Sequence, residues 1–277
     1  MKFAGVVVWY NPSSDDKENI NTYLEFLDKL FIIDNSENKN EIGINSKKIN
    51  YIFNNDNIGV AKALNDAAKM AIKDGYEWLL TMDQDTKMNK KCFDKFKYVL
   101  DNMDTSKIGI ITPWHKTKLD TIKPKEEYTY PNQVMTSANL VSLSILKELN
   151  YFDEDLFIDG IDIEYGLRLN KNGYKILQCN DVSVIHNLGD IEYHKFFNRT
   201  FLCTNHNYLR QYYMARNYRY IRDKYIDYDE NFCKILVKIK SNIFKIVMYE
   251  KDSYKKIKYM FKGIKDYKRG IKGKIKE

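Results

Sequence analysis

Residues 79–86, Leu-Leu-Thr-Met-Asp83-Gln-Asp85-Thr, run an apolar segment straight into two carboxylates one residue apart. The segment has the length and composition of a buried strand. Side chains alternate along a strand, so Asp83 and Asp85 point the same way as the backbone leaves the sheet. A chain patterned like this is constrained to a sheet whose carboxyl edge carries the ligand, as parallel sheets do. The two acids can hold a hard divalent cation and a hydroxylated ligand; a solvated acidic turn is the simpler alternative. An EF-hand fails on spacing, because its loop needs an oxygen ligand at the fifth position and glycine at the sixth, where Lys87 and Met88 stand.

The surrounding sequence alternates strand and helix. Residues 3–9 form a continuous apolar strand, residues 20–30 have helical spacing with Leu24, Leu27 and Leu30, and residues 31–33 and 50–53 predict two further strands. Residues 58–72 predict a helix with Val60, Ala63, Leu64, Ala67, Ala68 and Ala71 near one face, leading to the strand at 78–82. Strands separated by helix-length segments imply βαβ crossovers and a mainly parallel sheet. Each of the first four strands ends in polar residues: Tyr10-Asn11-Pro12, Asp34-Asn35-Ser36, residues 54–59, and Asp83 to Asp85. Such residues favour turns in any protein, but four successive strands delivering them to one edge describe a binding site. Further on, residues 108–112 and 134–141 predict strands with an irregular polar stretch up to Asn132. Residues 153–172 contain a helix stopped by Asn172-Gly173, and two short strands follow at 174–178 and 182–185.

The four cysteines, Cys92, Cys179, Cys203 and Cys233, form no CxxC pair, which argues against a zinc knuckle or a disulfide framework and suits a reducing, cytoplasmic compartment. The amino terminus enters an apolar strand too short for a signal peptide. No segment approaches the roughly 18 consecutive apolar residues of a membrane span.

Taken together, the blocks Val-Val-Val-Trp-Tyr10-Asn11-Pro12, Ile-Ile-Asp34-Asn35-Ser36, Asn57-Ile-Gly59-Val-Ala-Lys-Ala-Leu-Asn65, Met-Asp83-Gln-Asp85-Thr86, Phe-Ile-Asp159-Gly-Ile-Asp162-Ile-Glu164-Tyr-Gly-Leu-Arg168, His186-Asn-Leu-Gly189 and Arg210-Gln-Tyr-Tyr-Met-Ala-Arg216-Asn217 resemble, in order and spacing, the family 2 glycosyltransferases. Within that family the likeness is to the bacterial rhamnosyltransferases, and it spans roughly residues 3–220. The resemblance implies an α/β chain of the GT-A nucleotide-diphospho-sugar transferase fold, with a mainly parallel central sheet flanked by helices. It implies an inverting transfer of rhamnose from a deoxythymidine-diphosphate sugar to a lipid-linked or oligosaccharide acceptor on a growing surface polysaccharide; a uridine-diphosphate hexose donor and a non-catalytic scaffold are the rivals. By the same resemblance Tyr10, Asn11 and Asp34 line the nucleoside pocket. Gly59 lets the backbone approach the donor, Asn57 and Asn65 contact it, and Asp83 faces the ribose. Asp85 holds a divalent metal, Mg²⁺ or Mn²⁺, on the diphosphate, and His186 completes the metal site. Aligning Leu167-Arg168 with the family pattern makes Asp162 the catalytic base; Ile161 stands where a preceding acid is common, which leaves Asp162's partner open, with Asp159 a candidate. Arg210 and Arg216 suit phosphate gripping, on the donor or on a lipid diphosphate of the acceptor.

Charge divides unevenly. Residues 231–277 hold fifteen basic and four acidic residues, a net of +11 against +7 for the whole chain, so the preceding part carries −4. Apolar residues recur there at helical spacing, among them Phe232, Ile235, Leu236, Ile239, Ile243, Ile246, Tyr254, Ile257 and Phe261, with lysines between. The expected division is a catalytic domain over 1–220 and a basic amphipathic helical extension over 221–277. Such helices lie on an anionic membrane surface, here the inner face of the cell membrane, or pack against the catalytic domain or a second copy in a homodimer. Nucleic acid is not an expected partner, because an acid-lined edge repels phosphodiester chains.

Overall fold

The computed structural model describes residues 2–116, 123–185, 192–197 and 199–276. The chain divides into two compact units, residues 1–154 with 161–187 and residues 155–160 with 188–277.

In the first unit β1 (Ala4–Trp9) leads to α1 (Ser14–Asn19), started by a reciprocal capping box between Ser13 and Asp16. Then come β2 (Lys29–Asp34), β3 (Ile49–Phe53), α2 (Val60–Lys73), β4 (Trp78–Asp83), α3 (Lys90–Asn102), β5 (Ile108–Lys116) and β6 (Tyr128–Thr129). The unit is completed by β7 (Asn139–Ser142), α4 (Leu143–Glu148), α5 (Ile161–Lys171) and β8 (Lys175–Ile185). These strands form one sheet in the order β3-β2-β1-β4-β7-β5-β8-β6. β1 to β4 are parallel, as are β5 and β8, while β7 runs antiparallel between β4 and β5 and β6 pairs antiparallel with β8. β1, β2 and β4 are apolar and buried almost throughout because helices cover both faces of the sheet. On one side Trp9, Ile32, Leu80 and Met82 join Phe93, Phe96 and Val99 of α3 in the main core. On the other, α2 presents Ala61, Ala63, Ala67, Ala68 and Ala71, all buried, small enough to bring the helix close to the strands.

Several expectations are corrected. Residues 20–30 are not one helix: two 3-10 turns at Ile20–Thr22 and Leu24–Phe26 meet at Tyr23, and Leu27 is already extended. Pairing with β1 overrides local helical spacing there, since Asp28 N donates to Phe3 O and Asp28 Oδ2 accepts from Phe3 N, both at 2.8 Å, committing the chain to β2. The strand expected at 134–141 is confined to β7. The two late strands are one, β8, whose pairing with β5 shifts register between Pro113 and Trp114. The polar stretch before Asn132 contributes the end of β5 and the short β6.

The second unit contains a hairpin of β9 (Glu192–Phe196) and β10 (Arg199–Cys203), then α6 (Tyr208–Tyr225), α7 (Glu230–Leu236), α8 (Ile239–Tyr249) and α9 (Ser253–Lys268). The boundary expected after residue 220 falls inside α6. α9 lies directly on α6: a Cβ on Gly263 would stand 2.3 Å from Tyr212 O, and buried Tyr212 OH donates to Asp266 Oδ2 at 2.9 Å. A buried Lys256–Glu250 ion pair at 2.9 Å closes the turn before it. Part of the apolar stripe of the tail is therefore internal core. Among the described residues no helix is long and apolar enough to cross a membrane.

Candidate active site

Parallel register levels the strand ends. Trp9 pairs with Asp34, Asp34 with Phe53 and Val8 with Asp83, so the polar residues that follow these strands emerge side by side at the carboxyl edge. Hydrogen bonds tie them into one rim. Tyr10 N donates to Gln84 Oε1 at 2.8 Å and Asn11 N to Ser36 Oγ at 2.7 Å. Asn54 Nδ2 donates to Asn35 Oδ1 at 2.8 Å, Asn35 Nδ2 to Gly59 O at 3.3 Å, and Gly59 N to Asn57 Oδ1 at 3.0 Å. Gly59 caps α2 with φ +88°, a conformation that side-chain-bearing residues rarely adopt. Asn11 is itself left-handed, φ +48°, which turns the chain sharply off β1 beside the half-exposed Tyr10.

Asp34 is fully buried. Its Oδ1 accepts from Ser36 N at 2.9 Å, and its Oδ2 from Asn40 N at 3.2 Å, Asn40 Nδ2 at 3.0 Å and Tyr51 OH at 2.5 Å. Burial works to raise this carboxyl, but the bonds from Ser36, Tyr51 and Asn40 together outweigh it and hold Asp34 below the usual carboxylate range. Burial and the bond to Asp34 push the Tyr51 phenol up to about 12. A ligand reaching Asp34 meets Asn40 already in place on Oδ2.

The acidic turn after β4 is fixed from both sides. Asp83 N donates to Ser137 Oγ at 2.9 Å and Ser137 Oγ to Thr86 Oγ1 at 2.8 Å, while Asn19 Nδ2 donates to Gln84 O at 2.9 Å. With its backbone pinned, the turn leaves Asp83 half-buried and Asp85 exposed, the latter with a long 3.5 Å contact from Thr86 Oγ1. Among the described residues no three His, Cys, Asp or Glu side chains cluster closely enough to cage a metal on their own.

Asp162 sits in the first turn of α5, and its Oδ1 accepts from Ile163 N at 2.9 Å. The far end of α5 lies at the starting edge of the sheet. A Cβ on Gly109 would stand 2.3 Å from Leu169, and the helix turns directly into β8, where Lys175 N donates to Lys107 O. From Leu169 back to Asp162 the helix is about 10 Å long at 1.5 Å per residue, and a helix that enters a parallel strand directly is expected to begin on the side of the carboxyl strand ends. Segment 132–139 joins the two regions: Gly166 and Asn170 of α5 pack on Asn132 O, and Ser137 holds the turn of Asp83. The neighbouring acid Glu164 is buried against Arg168 Nη2 at 2.8 Å.

Other expected site residues sit elsewhere. Asn65 is buried within α2; it donates to Phe152 O and Glu154 Oε1 and accepts from Phe152 N, each at 2.9 Å, so it fastens the segment leading to α5 and not a ligand. In the second unit Arg210 pairs with Asp159 at 2.5 Å, with His206 Nδ1 accepting from its Nη1 at 3.3 Å. Arg216 is fully buried, and all three of its nitrogens donate to protein acceptors: Nε to Asn217 Oδ1, Nη1 to Gly273 O, and Nη2 to Asp155 O and Leu156 O. That geometry removes Arg216 from phosphate gripping. His186 lies outside the described residues. Gln84, Asn40 and Ser137 were missed by the sequence reading, because each gains its role through a partner distant in the chain or from a position between the acids that reads as a spacer.

Comparison with known proteins bears on the family and the fold. The profile of Glycosyl transferase family 2 matches residues 17–145, from α1 through β4 and its acidic turn to α4. Over 207 residues, 67% of this chain and 69% of the relative, the sequence is 25% identical to the dTDP-rhamnosyl transferase RfbF of Shigella flexneri. Residues 17–145 match a glycosyl transferase family 2 domain, and the chain is a glycosyltransferase. The fold of residues 1–349 of TarS from S. aureus, solved in complex with UDP-GlcNAc, is similar with a TM-score of 0.60 at 14% identity, covering 98% of this chain and 92% of that one. GalNAc-T7, solved with UDP, GalNAc and Mn²⁺, is similar with a TM-score of 0.59 at 13% identity, covering 98% of this glycosyltransferase and 56% of that chain. Both are GT-A-type neighbours, and the large mixed sheet flanked by helices is the expected fold.

Proposed function

We propose that this glycosyltransferase moves rhamnose, with inversion, from dTDP-rhamnose to a hydroxyl of a lipid-linked or oligosaccharide acceptor during surface polysaccharide synthesis. The observation that carries the reading is the level register of β1, β2 and β4, which gathers Tyr10, Asn11, Asp34 and the Asp83–Asp85 turn into one rim in a chain similar to a dTDP-rhamnosyl transferase. In this reading Tyr10, Asn11 and Asp34 take the nucleoside, Asn57 and Gly59 line the approach, and Asp83 takes the ribose. The Asp162 carboxylate accepts the proton of the acceptor hydroxyl, whose oxygen bonds to the anomeric carbon as the bond from that carbon to the diphosphate breaks on the opposite face.

The acidic turn suits a divalent cation. Asp85 is an exposed hard-oxygen donor on a pinned turn, and Mg²⁺ commonly takes only one or two carboxylates when substrate phosphates complete its shell. Asp85 would hold it, with Asp83 beside it and His186 as a further ligand. When bound, Mg²⁺ or Mn²⁺ neutralises the charge gathering on the diphosphate leaving group.

The deciding experiment offers the protein dTDP-rhamnose, UDP-GlcNAc and UDP-glucose in turn, with Mn²⁺ or after exhaustive chelation, and follows melting temperature and sugar release. The expected result is stabilisation and turnover with dTDP-rhamnose only when metal is present; a hundredfold excess over Kd corresponds to about 2.7 kcal/mol of linkage. Preference for a uridine-diphosphate sugar would overturn the donor assignment, full turnover after chelation the metal, and no response to any nucleotide sugar the enzymatic reading as a whole.

A further inference from the structure

Segment 155–160 runs directly into α5 and is conformationally unusual. Phe157 has φ +67° and Asp159 φ +62°, followed by Gly160 at +89°. A bulky aromatic in the left-handed region is a costly arrangement that persists only where the surroundings over-determine it, and such strain gathers at functional sites.

What over-determines it is one side chain. Asn217 Nδ2, fully buried on α6, lies 2.8 Å from Leu156 O, 2.7 Å from Ile158 O and 2.8 Å from Asp159 O, so a single amide gathers three carbonyls of the strained segment. Arg216 orients that amide: its Nε donates to Asn217 Oδ1 at 2.9 Å, which forces the nitrogen toward the carbonyls. Its Nη2 adds contacts of 3.2 Å to Asp155 O and Leu156 O. The side chains of the segment are held as well, Phe157 stacked on Tyr213 and Asp159 paired with Arg210. Gly160 completes the fit, because a Cβ there would stand 2.9 Å from Ile221.

We infer that Asn217, oriented by Arg216, is a positioning residue for the catalytic base: it fixes the strained turn that ends at Gly160, two residues before Asp162 and joined to α5 by the next peptide bond. This rests on the assignment of Asp162 as base. Asn217 touches neither donor nor acceptor in this scheme, and its loss acts on the placement of the base.

The test compares Asn217→Asp and Asn217→Ser with the parent and with Asp162→Asn, using the full chain, dTDP-rhamnose, Mn²⁺ and an oligosaccharide acceptor. Asn217→Asp sets a carboxylate against three carbonyls, and kcat is expected to fall by about 100-fold, the scale of an ångström-sized misplacement, while donor KM stays within about twofold. Asn217→Ser keeps one short donor and gives a smaller loss with the same split; it decides the matter if the aspartate variant does not fold. A kcat within twofold of the parent in folded Asn217→Ser, or kcat and donor affinity falling in step, would overturn the brace. Parental turnover in Asp162→Asn would remove the base assignment beneath it. A dead Asp162→Asn beside parental Asn217 variants would remove the brace alone.

Discussion

Three acids fall between residues 159 and 164, and their surroundings separate them. Asp159 is tied to Arg210, Glu164 is buried against Arg168, and Asp162 sits in the first turn of α5. Changing Asp162→Asn keeps the shape and removes the proton acceptor. Transfer is expected to fall by about 10²–10⁴-fold, the usual contribution of a general base, with stabilisation by the nucleotide sugar retained. Near-parental transfer would take the role away from Asp162. At this scale the acids were legible in the sequence because an apolar strand ending in a carboxylate leaves little choice of location. Arg216 was not, because an arginine at helical spacing looks like a surface cation until the carbonyls of a distant segment are seen around it.

Two titrating groups give the protein a pH signature with separable windows. His206 is held below the ordinary imidazole value, first by burial and then by the charge of Arg210. Between that depressed value and about 6.5 the unfolded chain binds a proton that the folded chain does not, so stability is full above about 6.5 and falls as the solution is acidified. Asp34 is also depressed, so its contribution is lost only at lower pH, as its own folded value is passed. Urea midpoints measured from pH 7.5 to 5 are expected to decline, and the decline to flatten in His206→Gln; an unchanged slope in that variant would exclude the histidine as its source.

Elements with a strong pattern were read correctly, and those settled by partners were not. The buried strands β1, β2 and β4 and the alanine-lined α2 follow from composition alone. The turns at 20–26 lost their helical spacing to strand pairing, and β5 and β8 proved longer because they align with each other. The close seat of α9 on α6 was equally hidden, since it depends on Gly263 facing Tyr212 O. Gly263→Ala adds a methyl group with no space against backbone, and a loss of about 1–3 kcal/mol is expected in equilibrium unfolding. A neutral result would mean that the α6–α9 contact is looser than described.

For the whole molecule, charge and exposed apolar surface both concentrate in the last helices. α9 buries Met260 and Asp266, yet Ile235, Val247, Tyr254 and Phe261 are exposed among the lysines of a segment with net charge +11. Of the two expectations for the tail, a surface on an anionic membrane or a packing face, we propose the first on this combination. Co-sedimentation with vesicles containing phosphatidylserine is expected, with release at high salt and little binding to neutral vesicles. Equal binding to both would remove the electrostatic part of that proposal.

The central claim is that acids from β4 and from α5 serve one sugar. A crystal structure of the protein with Mn²⁺ and a non-hydrolysable dTDP-rhamnose analogue tests it most directly. The expected density has the metal joining Asp85 to the diphosphate and the Asp162 carboxylate facing the anomeric carbon from the side opposite the leaving group, with room for one hydroxyl between. An Asp162 turned away from the sugar, or a donor bound away from the Asp83–Asp85 turn, would contradict it.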